Sequence, residues 1–311
     1  MISVAVAVLT YRRPEYLIRL VEHLGMLKRD EHFRITVIVV DNDDTDSSRP
    51  IFETRQWRFR EGYYFHEPRR GIPIARNRAV REALDLDADL LCFIDDDEFP
   101  HPNWLVELVG TYRRTQCQLI GGPVRVACPE RPLTNWQALI HAGLVRRAVH
   151  KERSIARAVR RGSRVTVVTN NWMCELSWLG AASVSFDETM PFTGGTDTLF
   201  FRMATRCGAR SAWSSNAVVY ETIPVDRLTA RYQFRRARAQ SINHFFQKYP
   251  RVSALLIIRI VPVAVIRILL GVAVLVIPLR GLSSPIVGIR SIGWSLGQID
   301  ALRGRRINLY E

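Results

Sequence analysis

Disulfide and zinc chemistry find little to build on in this chain: its 311 residues include five cysteines, at positions 92, 117, 128, 174 and 207. Their number is odd, their spacing is scattered and no C-x-x-C pair occurs, so neither a disulfide framework nor a zinc site is indicated and a reducing compartment fits best. The N-terminal stretch MISVAVAVLTYRRPEYL has too short an apolar run for a signal peptide and no leading basic region. No internal repeat is visible. Acid is scarce after residue 100. Residues 1–100 hold 15 Lys/Arg against 19 Asp/Glu, net −4, whereas residues 101–311 hold 29 against 11, net +18. A half so basic needs an anionic partner, and nucleic acid, phosphorylated ligands and an anionic membrane face all qualify on charge alone.

What is present suits a folded chain. At 47% hydrophobic, it can bury a sizeable core as one large domain with an appendage or as two smaller domains. SVAVAVLT (3–10) reads as a buried strand, and Leu17, Leu20, Val21, Leu24 and Leu27 recur at helical spacing across residues 13–27. RITVIVVDN (34–42) is a second strand, GIPIARNRAVREALDL opens with Gly71 and Pro73 into a helix, and a third strand ends at Asp95. Apolar strands separated by helices indicate a mostly parallel, doubly wound sheet covered on both faces, whose ligands bind at the carboxyl ends of the strands. Thr10, Tyr11, Asp41 and Asp95–Asp97 all fall there. Further on, short strands are expected at LIGGPVRVA and RVTVVTNN, and the basic stretch 146–164 reads as either a loop or an exposed helix.

The C-terminus changes character. Residues 254–279 carry only Arg259 and Arg267 as charges; as a helix this stretch would measure ~39 Å against a bilayer core of ~30 Å. Pro262 and the two arginines oppose a clean span. The expectation is a helix or broken helix lying in, or dipping into, a membrane leaflet, followed by arginines suited to anionic headgroups. A long soluble core helix is the alternative.

Four consecutive acids, Asp95, Asp96, Asp97 and Glu98, follow the apolar LLCFI. Like charges at the end of a buried strand raise the cost of ionising one another. A divalent cation turns that repulsion into coordination, and all-oxygen ligands suit Mg²⁺ or Mn²⁺. An acidic cap on the following helix is the simpler explanation, though four acids exceed what a cap needs.

The chain resembles the family 2 glycosyltransferases with the GT-A fold, particularly those of bacterial exopolysaccharide assembly. The resemblance covers residues 2 to about 245 and rests on VAVLTYRRPEYLIRLVEHL, VIVVDNDDTDSS, GIPIARNRAV, FIDDDEFPHPNWL, GGPV, TNNWMCELSWL and FDETMPFTGGTDTLFFRMATRCG in order. It implies a GT-A domain over 1–245, with a nucleotide-binding half (1–100) and an acceptor half (101–245), and a membrane-associating helical segment over 246–311. Asp95 and Asp97 match the D-x-D pair that meets the nucleotide ribose and the Mg²⁺ or Mn²⁺ bridging the diphosphate, with Asp96 beside them in the donor site. Asp41 matches the residue that hydrogen-bonds the base, flanked by Thr10 and Tyr11; a strand-end turn is the competing role. Arg76 falls where the family places a donor-binding residue, or is an ordinary surface arginine. Asp197 in GGTDTLFF matches the general base. The sequence departs from the family pattern there, with Thr196 and Leu199 in place of acids, and Glu221 stands where many relatives have a metal-binding histidine.

For the acceptor, Asn171 and Trp172 are candidates; Trp172 and Trp178 could stack on sugar rings, although core packing is the commoner fate of Trp. Arg235, Arg236 and Arg238 could hold a diphosphate, or simply face solvent. The resemblance thus implies inverting, metal-dependent transfer from a nucleotide sugar, UDP-linked by preference, to a saccharide acceptor carried on a polyprenyl diphosphate at the cytoplasmic face of the bacterial inner membrane. Two other classes stay open. A nucleotidyltransferase would favour a Gly- and Lys-bearing phosphate loop near residue 10, which LTYRRPEYL lacks. A non-catalytic basic module would bind membrane or nucleic acid, although no nucleic-acid motif is present and nucleic acid is not an expected partner.

Overall fold

β1 (Ile2–Thr10) is apolar on both faces because both are covered. Val4, Val6 and Val8 enter one core with Leu17, Leu20, Val21 and Leu24, while Ala5 and Ala7 enter another with Ala75, Ala79 and Ala83. The alternation is the two-residue period of a strand. The computed structural model describes residues 1–54, 61–163, 165–167, 170–189, 195–249, 252–276 and 285–306.

α1 (Pro14–Leu24) starts on a proline, whose missing N–H costs nothing in a first turn, and ends before Gly25. It is shorter than the spacing suggested, yet Leu27 still reaches the core from the turn beyond. β2 (Phe33–Asp41), α2 (Arg49–Thr54), β3 (Gly62–His66), α3 (Ile72–Asp85) and β4 (Leu90–Asp95) follow. Then come β5 (Glu98–Pro100), α4 (Trp104–Thr115), β6 (Leu119–Gly121) and β7 (Val124–Val126), so LIGGPVRVA is two strands rather than one. They break at Gly122, where a Cβ would lie 2.2 Å from the Ala217 carbonyl oxygen and 2.7 Å from Asn171 Nδ2. The basic stretch belongs to a helix, α5 (Asn135–Arg160). RVTVVTNN falls partly outside the described residues; 165–167 are not strand, and β8 (Asn171–Glu175) begins only at the end of that motif. α6 (Leu176–Ala182), α7 (Thr196–Arg206), β9 (Ser211–Trp213), β10 (Val219–Glu221), α8 (Ala230–Lys248), α9 (Ala254–Val276) and α10 (Pro285–Leu302) complete the order.

The chain divides into two compact units, the first comprising Met1–Arg125, His150–Pro191 and Thr196–Thr222, the second Val126–Val149, Phe192–Gly195 and Ile223–Glu311. The first holds a seven-stranded sheet in the order β3-β2-β1-β4-β8-β6-β9 and a small sheet in the order β5-β10-β7. β1 is parallel to both β2 and β4, and β2 to β3; β8 runs antiparallel to β4 and β6. Thr10 lies opposite Asp41 and Leu9 opposite Asp95, so the carboxyl ends of three central strands finish level. Strand order switches at β1, and a ligand crevice forms where such an order reverses.

In the second unit α10 lies hard against α8. Cβ atoms built on Gly293 and Gly297 would sit 2.6 and 2.4 Å from the carbonyl oxygens of Phe234 and Arg238. α8, which the sequence motifs group with the transferase domain, clusters here with α9 and α10. Pro262 lies inside α9, which continues through it. Ala254–Leu275 is long and apolar enough to cross a membrane, and its large side chains are bare, with Leu255 77% and Ile258 70% exposed.

Two acceptor candidates are core residues instead. Asn171 is buried; its Nδ2 donates to the carbonyls of Pro123 (2.9 Å) and Ala217 (2.8 Å), and its Oδ1 accepts from Trp104 Nε1 at 2.8 Å. Trp172 is buried as well, stacked on Phe93 with ring centroids 5.7 Å apart and edge-on to Phe200. Alternation explains the pair: β8 is covered on both faces, so both neighbours point into protein. Trp178 is half-buried against the same core as Trp172. Replacing Asn171 with Ala strands three buried polar groups and should cost about 3 kcal/mol or more, read by chemical denaturation; a loss under about 1 kcal/mol would contradict this structural role.

Candidate active site

The site is built where β1, β2 and β4 end. Beyond β2 the chain turns through Asn42, Asp43 and Asp44, and Asp41 shapes that turn from the inside. Fully buried, Asp41 accepts from the Ser48 amide at 2.9 Å, the Tyr64 hydroxyl at 2.7 Å and the Asp43 amide at 3.3 Å. Asn42 pins the next connection, donating to the carbonyls of Glu67 (2.9 Å) and Arg69 (2.8 Å) and accepting from the Gly71 amide at 2.8 Å. That fixes the entry to α3, and with it Arg76. Burial pushes the Asp43 carboxyl up, but hydrogen bonds from Asp44, Thr45 and Arg12 hold it well below the usual carboxylate range. From the end of β1, the Tyr11 ring lies near the guanidiniums of Arg12 (5.3 Å) and Arg70 (4.9 Å).

The acids after β4 are bound into the fold at several points. Glu98, buried at the start of β5, accepts from the Asp95 amide at 3.0 Å and from Asn170 Nδ2 at 3.2 Å. Thr10 Oγ1 donates to Asp96 at 3.4 Å. Arg13 Nη1 reaches Asp96 at 3.3 Å and Asp97 at 3.5 Å. The Asp97 carbonyl accepts from the Thr222 amide at 2.9 Å, tying the acids to the segment after β10.

Burial pushes the Asp95 carboxyl up to about 6, with Asp97, Glu221 and Asp197 adding repulsion and Arg76 opposing it. Burial and Asp97 push Asp96 up to about 7, against the pull of Arg13. Glu98 is raised well above its ordinary value by burial and then by Asp95. Carboxylates from three separate segments therefore act on Asp95. Asp197 arrives from the first turn of α7, where a helix N-terminus favours negative charge, and its Oδ1 accepts from the Thr198 amide at 2.8 Å. The link is direct: Arg76 Nη1 donates to Thr196 Oγ1 at 3.1 Å, and its guanidinium lies 5.4 Å from the Phe186 ring. Arg76 is buried rather than an ordinary surface arginine.

A divalent cation fits these residues. Asp95 and Asp97 offer hard oxygens beside a surplus of negative charge, and Mg²⁺ typically takes one or two carboxylates with water and substrate phosphates completing the shell. Among the described residues no three His, Cys, Asp or Glu side chains are arranged to close a shell by themselves.

Arg238, an acceptor candidate, is already paired in the second unit. Its Nε bonds Asp300 at 2.5 Å, and Asp300 also accepts from Arg305 at 3.3 Å, so its charge is matched within the second unit. Arg235, exposed, and Arg236, half-buried, lie on the same helix. Sequence reasoning missed Arg13 as the clamp on Asp96 and Asp97, and Glu98 as the acceptor for Asp95. The signal for Arg13 was available: TYRR leaves β1 beside the acids that leave β4, and the two strands are neighbours.

A family model described as Glycosyl transferase family 2 matches residues 5–178. Among curated proteins the chain is similar to the Succinoglycan biosynthesis protein ExoM of Rhizobium meliloti (strain 1021), with 30% identity over 245 residues, covering 78% of this chain and 74% of the relative. Among solved structures it is similar to S. aureus TarS 1-349 in complex with UDP, at TM-score 0.53 and 16% identity, covering 98% of this chain and 92% of that one. The TarS 1-349 complex with UDP-GlcNAc matches at TM-score 0.53 and 15% identity, covering 98% and 93%. These structures share the GT-A fold with it, a mixed α/β arrangement on a mostly parallel sheet.

The raised carboxyls give the folded state a pH signature. A carboxyl whose pKa is higher folded than unfolded stabilises the fold at low pH, and that stability is lost as pH rises through the folded value. With EDTA present, Asp96→Asn should therefore gain a few °C in melting temperature over the parent at pH 8 and far less at pH 5. An equal difference at both pH values would contradict the raised pKa.

Proposed function

Starting from the fact that the chain belongs to the family 2 glycosyltransferases, we propose that it moves a sugar, with inversion, from a UDP-sugar to the hydroxyl of a saccharide acceptor in cell-surface polysaccharide synthesis. The observation that carries the reading is the Arg76–Thr196 bond, 3.1 Å long, which joins the donor-side helix α3 to the first turn bearing Asp197. A base and a nucleotide pocket on separate elements serve one reaction only if they share a cleft. The charges acting on Asp95 support that sharing.

In this reading the nucleotide lies across the ends of β1 and β2, with Tyr11 and Thr10 on one side and the turn ordered by Asp41 on the other. Asp41, already engaged by three donors of its own turn, contributes mainly by shaping that surface. Asp95, Asp96 and Asp97 face the ribose and diphosphate, where Arg13 and Arg76 supply positive charge. Mg²⁺ or Mn²⁺ held by Asp95 and Asp97 would neutralise charge gathering on the departing nucleoside diphosphate. Asp197 Oδ2 takes the proton of the acceptor hydroxyl as its oxygen bonds to the anomeric carbon and the bond from that carbon to the phosphate oxygen breaks. One displacement at that carbon inverts its configuration. The proton ends on Asp197 and the electron pair on UDP.

ExoM is a biosynthesis protein of succinoglycan, and TarS is known with UDP and with UDP-GlcNAc; both support a UDP-sugar and a polysaccharide product. Bare apolar side chains along α9 support association with a membrane. Arg259 and Arg267 are exposed on that helix, which favours a helix lying in the cytoplasmic leaflet, where long side chains carry their charge out to water. An acceptor anchored by polyprenyl diphosphate would meet the enzyme there. The family match favours the transferase over a nucleotidyltransferase or a non-catalytic module.

Incubation with a panel of nucleotide sugars should release UDP from a UDP-sugar in the presence of Mn²⁺ or Mg²⁺, and EDTA should abolish the release. Asp197→Asn should lower kcat by about 10²–10⁴ with UDP affinity essentially unchanged. Parental turnover in that variant would remove Asp197 as the base.

A further inference from the structure

The second unit contains a cluster of positive charge that nothing in the sugar-transfer reading uses. Arg290, half-buried on α10, donates from Nη1 to Gln233 Oε1 at 2.9 Å and from Nη2 to Gln240 Oε1 at 2.8 Å. Both partners are neutral. Gln233, Arg236 and Gln240 are spaced three and four apart on α8, so Arg236 emerges between the two amides that grip Arg290. On α5, Ile140 and Leu144 pack with Ile286 of α10. Arg147 continues the α5 stripe one turn beyond Leu144, and Arg290 continues the α10 stripe one turn beyond Ile286. Arg147, exposed on α5, and Arg236, half-buried on α8, thus both lie near enough to Arg290 to act on its charge.

Electrostatics agrees with the geometry. Burial pulls the Arg290 guanidinium down to about 10, with Arg147 and Arg236 adding repulsion and only Tyr232 pulling the other way. No carboxylate figures among these influences, although Arg238, two residues from Arg236, has Asp300 at 2.5 Å. A charge withdrawn from water is expensive unless it is paired. Arg290 alone is withdrawn and held by neutral amides; leaving Arg236 and the exposed Arg147 close to it makes sense where an anion sits among them, because forked N–H donors match phosphate oxygens.

The surroundings indicate what carries the anion. Ser291, next to Arg290, donates its hydroxyl to the Arg267 carbonyl of α9 at 3.3 Å. α9 and α10 are also in close backbone contact, a Cβ on Gly288 falling 2.6 Å from the Gly271 carbonyl oxygen. The arginines therefore adjoin the helix whose apolar side chains are bare.

We propose that Arg147, Arg236 and Arg290 form a phosphate-binding site for an amphiphile whose hydrocarbon chains lie along α9. Either a phospholipid headgroup or the diphosphate of a carrier lipid supplies that chemistry. The site stands independently of the assignment of Asp197.

Sedimentation of the full-length protein with vesicles tests it. The vesicles are phosphatidylcholine alone, phosphatidylcholine with phosphatidylglycerol, and phosphatidylcholine with a small fraction of polyprenyl diphosphate. Tighter binding to phosphatidylglycerol vesicles identifies the headgroup as the source. Tighter binding only with polyprenyl diphosphate, competed by inorganic pyrophosphate, identifies the carrier. In either case Arg147→Ala and Arg236→Ala should each weaken the anion-dependent binding about tenfold, as expected for a lost charge-assisted hydrogen bond. Arg235→Ala, exposed on the same helix, should change it little, and Asp197→Asn should leave it intact. If Arg290 were only a bracket between α8 and α10, Arg147→Ala and Arg236→Ala would relieve repulsion, raise the melting temperature and leave binding at the parental level. That result would overturn the proposal, as would anion-independent binding or an equal loss in Arg235→Ala.

Discussion

Carboxylates at the end of β4 repel one another, and the architecture around them answers that repulsion. Asp95, Asp96, Asp97 and Glu98 sit where a buried strand meets a crevice, a poor place for four like charges. Arg13 spans Asp96 and Asp97, Thr10 also donates to Asp96, the Asp95 amide donates to Glu98, and Arg76 offsets the field at Asp95. Arg13 and Arg76 come from the starts of α1 and α3, so the helix that follows β1 and the helix that precedes β4 deliver the opposing charge. The sheet matters here mainly through its register: level strand ends bring Thr10, Asp41 and Asp95 to one edge.

Much of this could be read from the chain before the fold was known, for a specific reason. β1, β2 and α3 have long apolar patterns whose period states both their type and their buried faces, and β4 is an apolar run ending in acids. Other elements of three to six residues carry no such signal, so α2, β3 and the division between β6 and β7 were not visible. Roles that depend on commitment elsewhere were less legible. Asn171 sits in a motif resembling an acceptor region, yet it and Trp172, for which core packing was the commoner expectation, are neighbours on a strand covered on both faces and both point into protein. Arg238 looked available until α10 brought Asp300 against it, across 62 residues of sequence. Asp41 was legible as important, and its competing role as the maker of a strand-end turn is what its three internal hydrogen bonds describe.

Charge asymmetry along the chain now has a structural counterpart. The acid-rich first hundred residues supply the level strand ends where Thr10, Asp41 and Asp95 gather. The basic remainder includes the second unit, where most of one helix surface is hydrocarbon and Arg290, near Arg147 and Arg236, is held by neutral amides. Hydrocarbon and positive charge side by side on adjoining helices are the two attractions that hold a protein to an anionic bilayer.

The central claim is that Asp197 and the acids after β4 share one cleft. Carboxyl ¹³C titration of Asp95 in the metal-free protein, in the parent and in Asp197→Asn, tests it most directly. The account predicts an Asp95 pKa near 6 in the parent that falls when the charge at 197 is removed. An Asp95 titration identical in the two proteins would place the two carboxylates beyond each other's influence and contradict it.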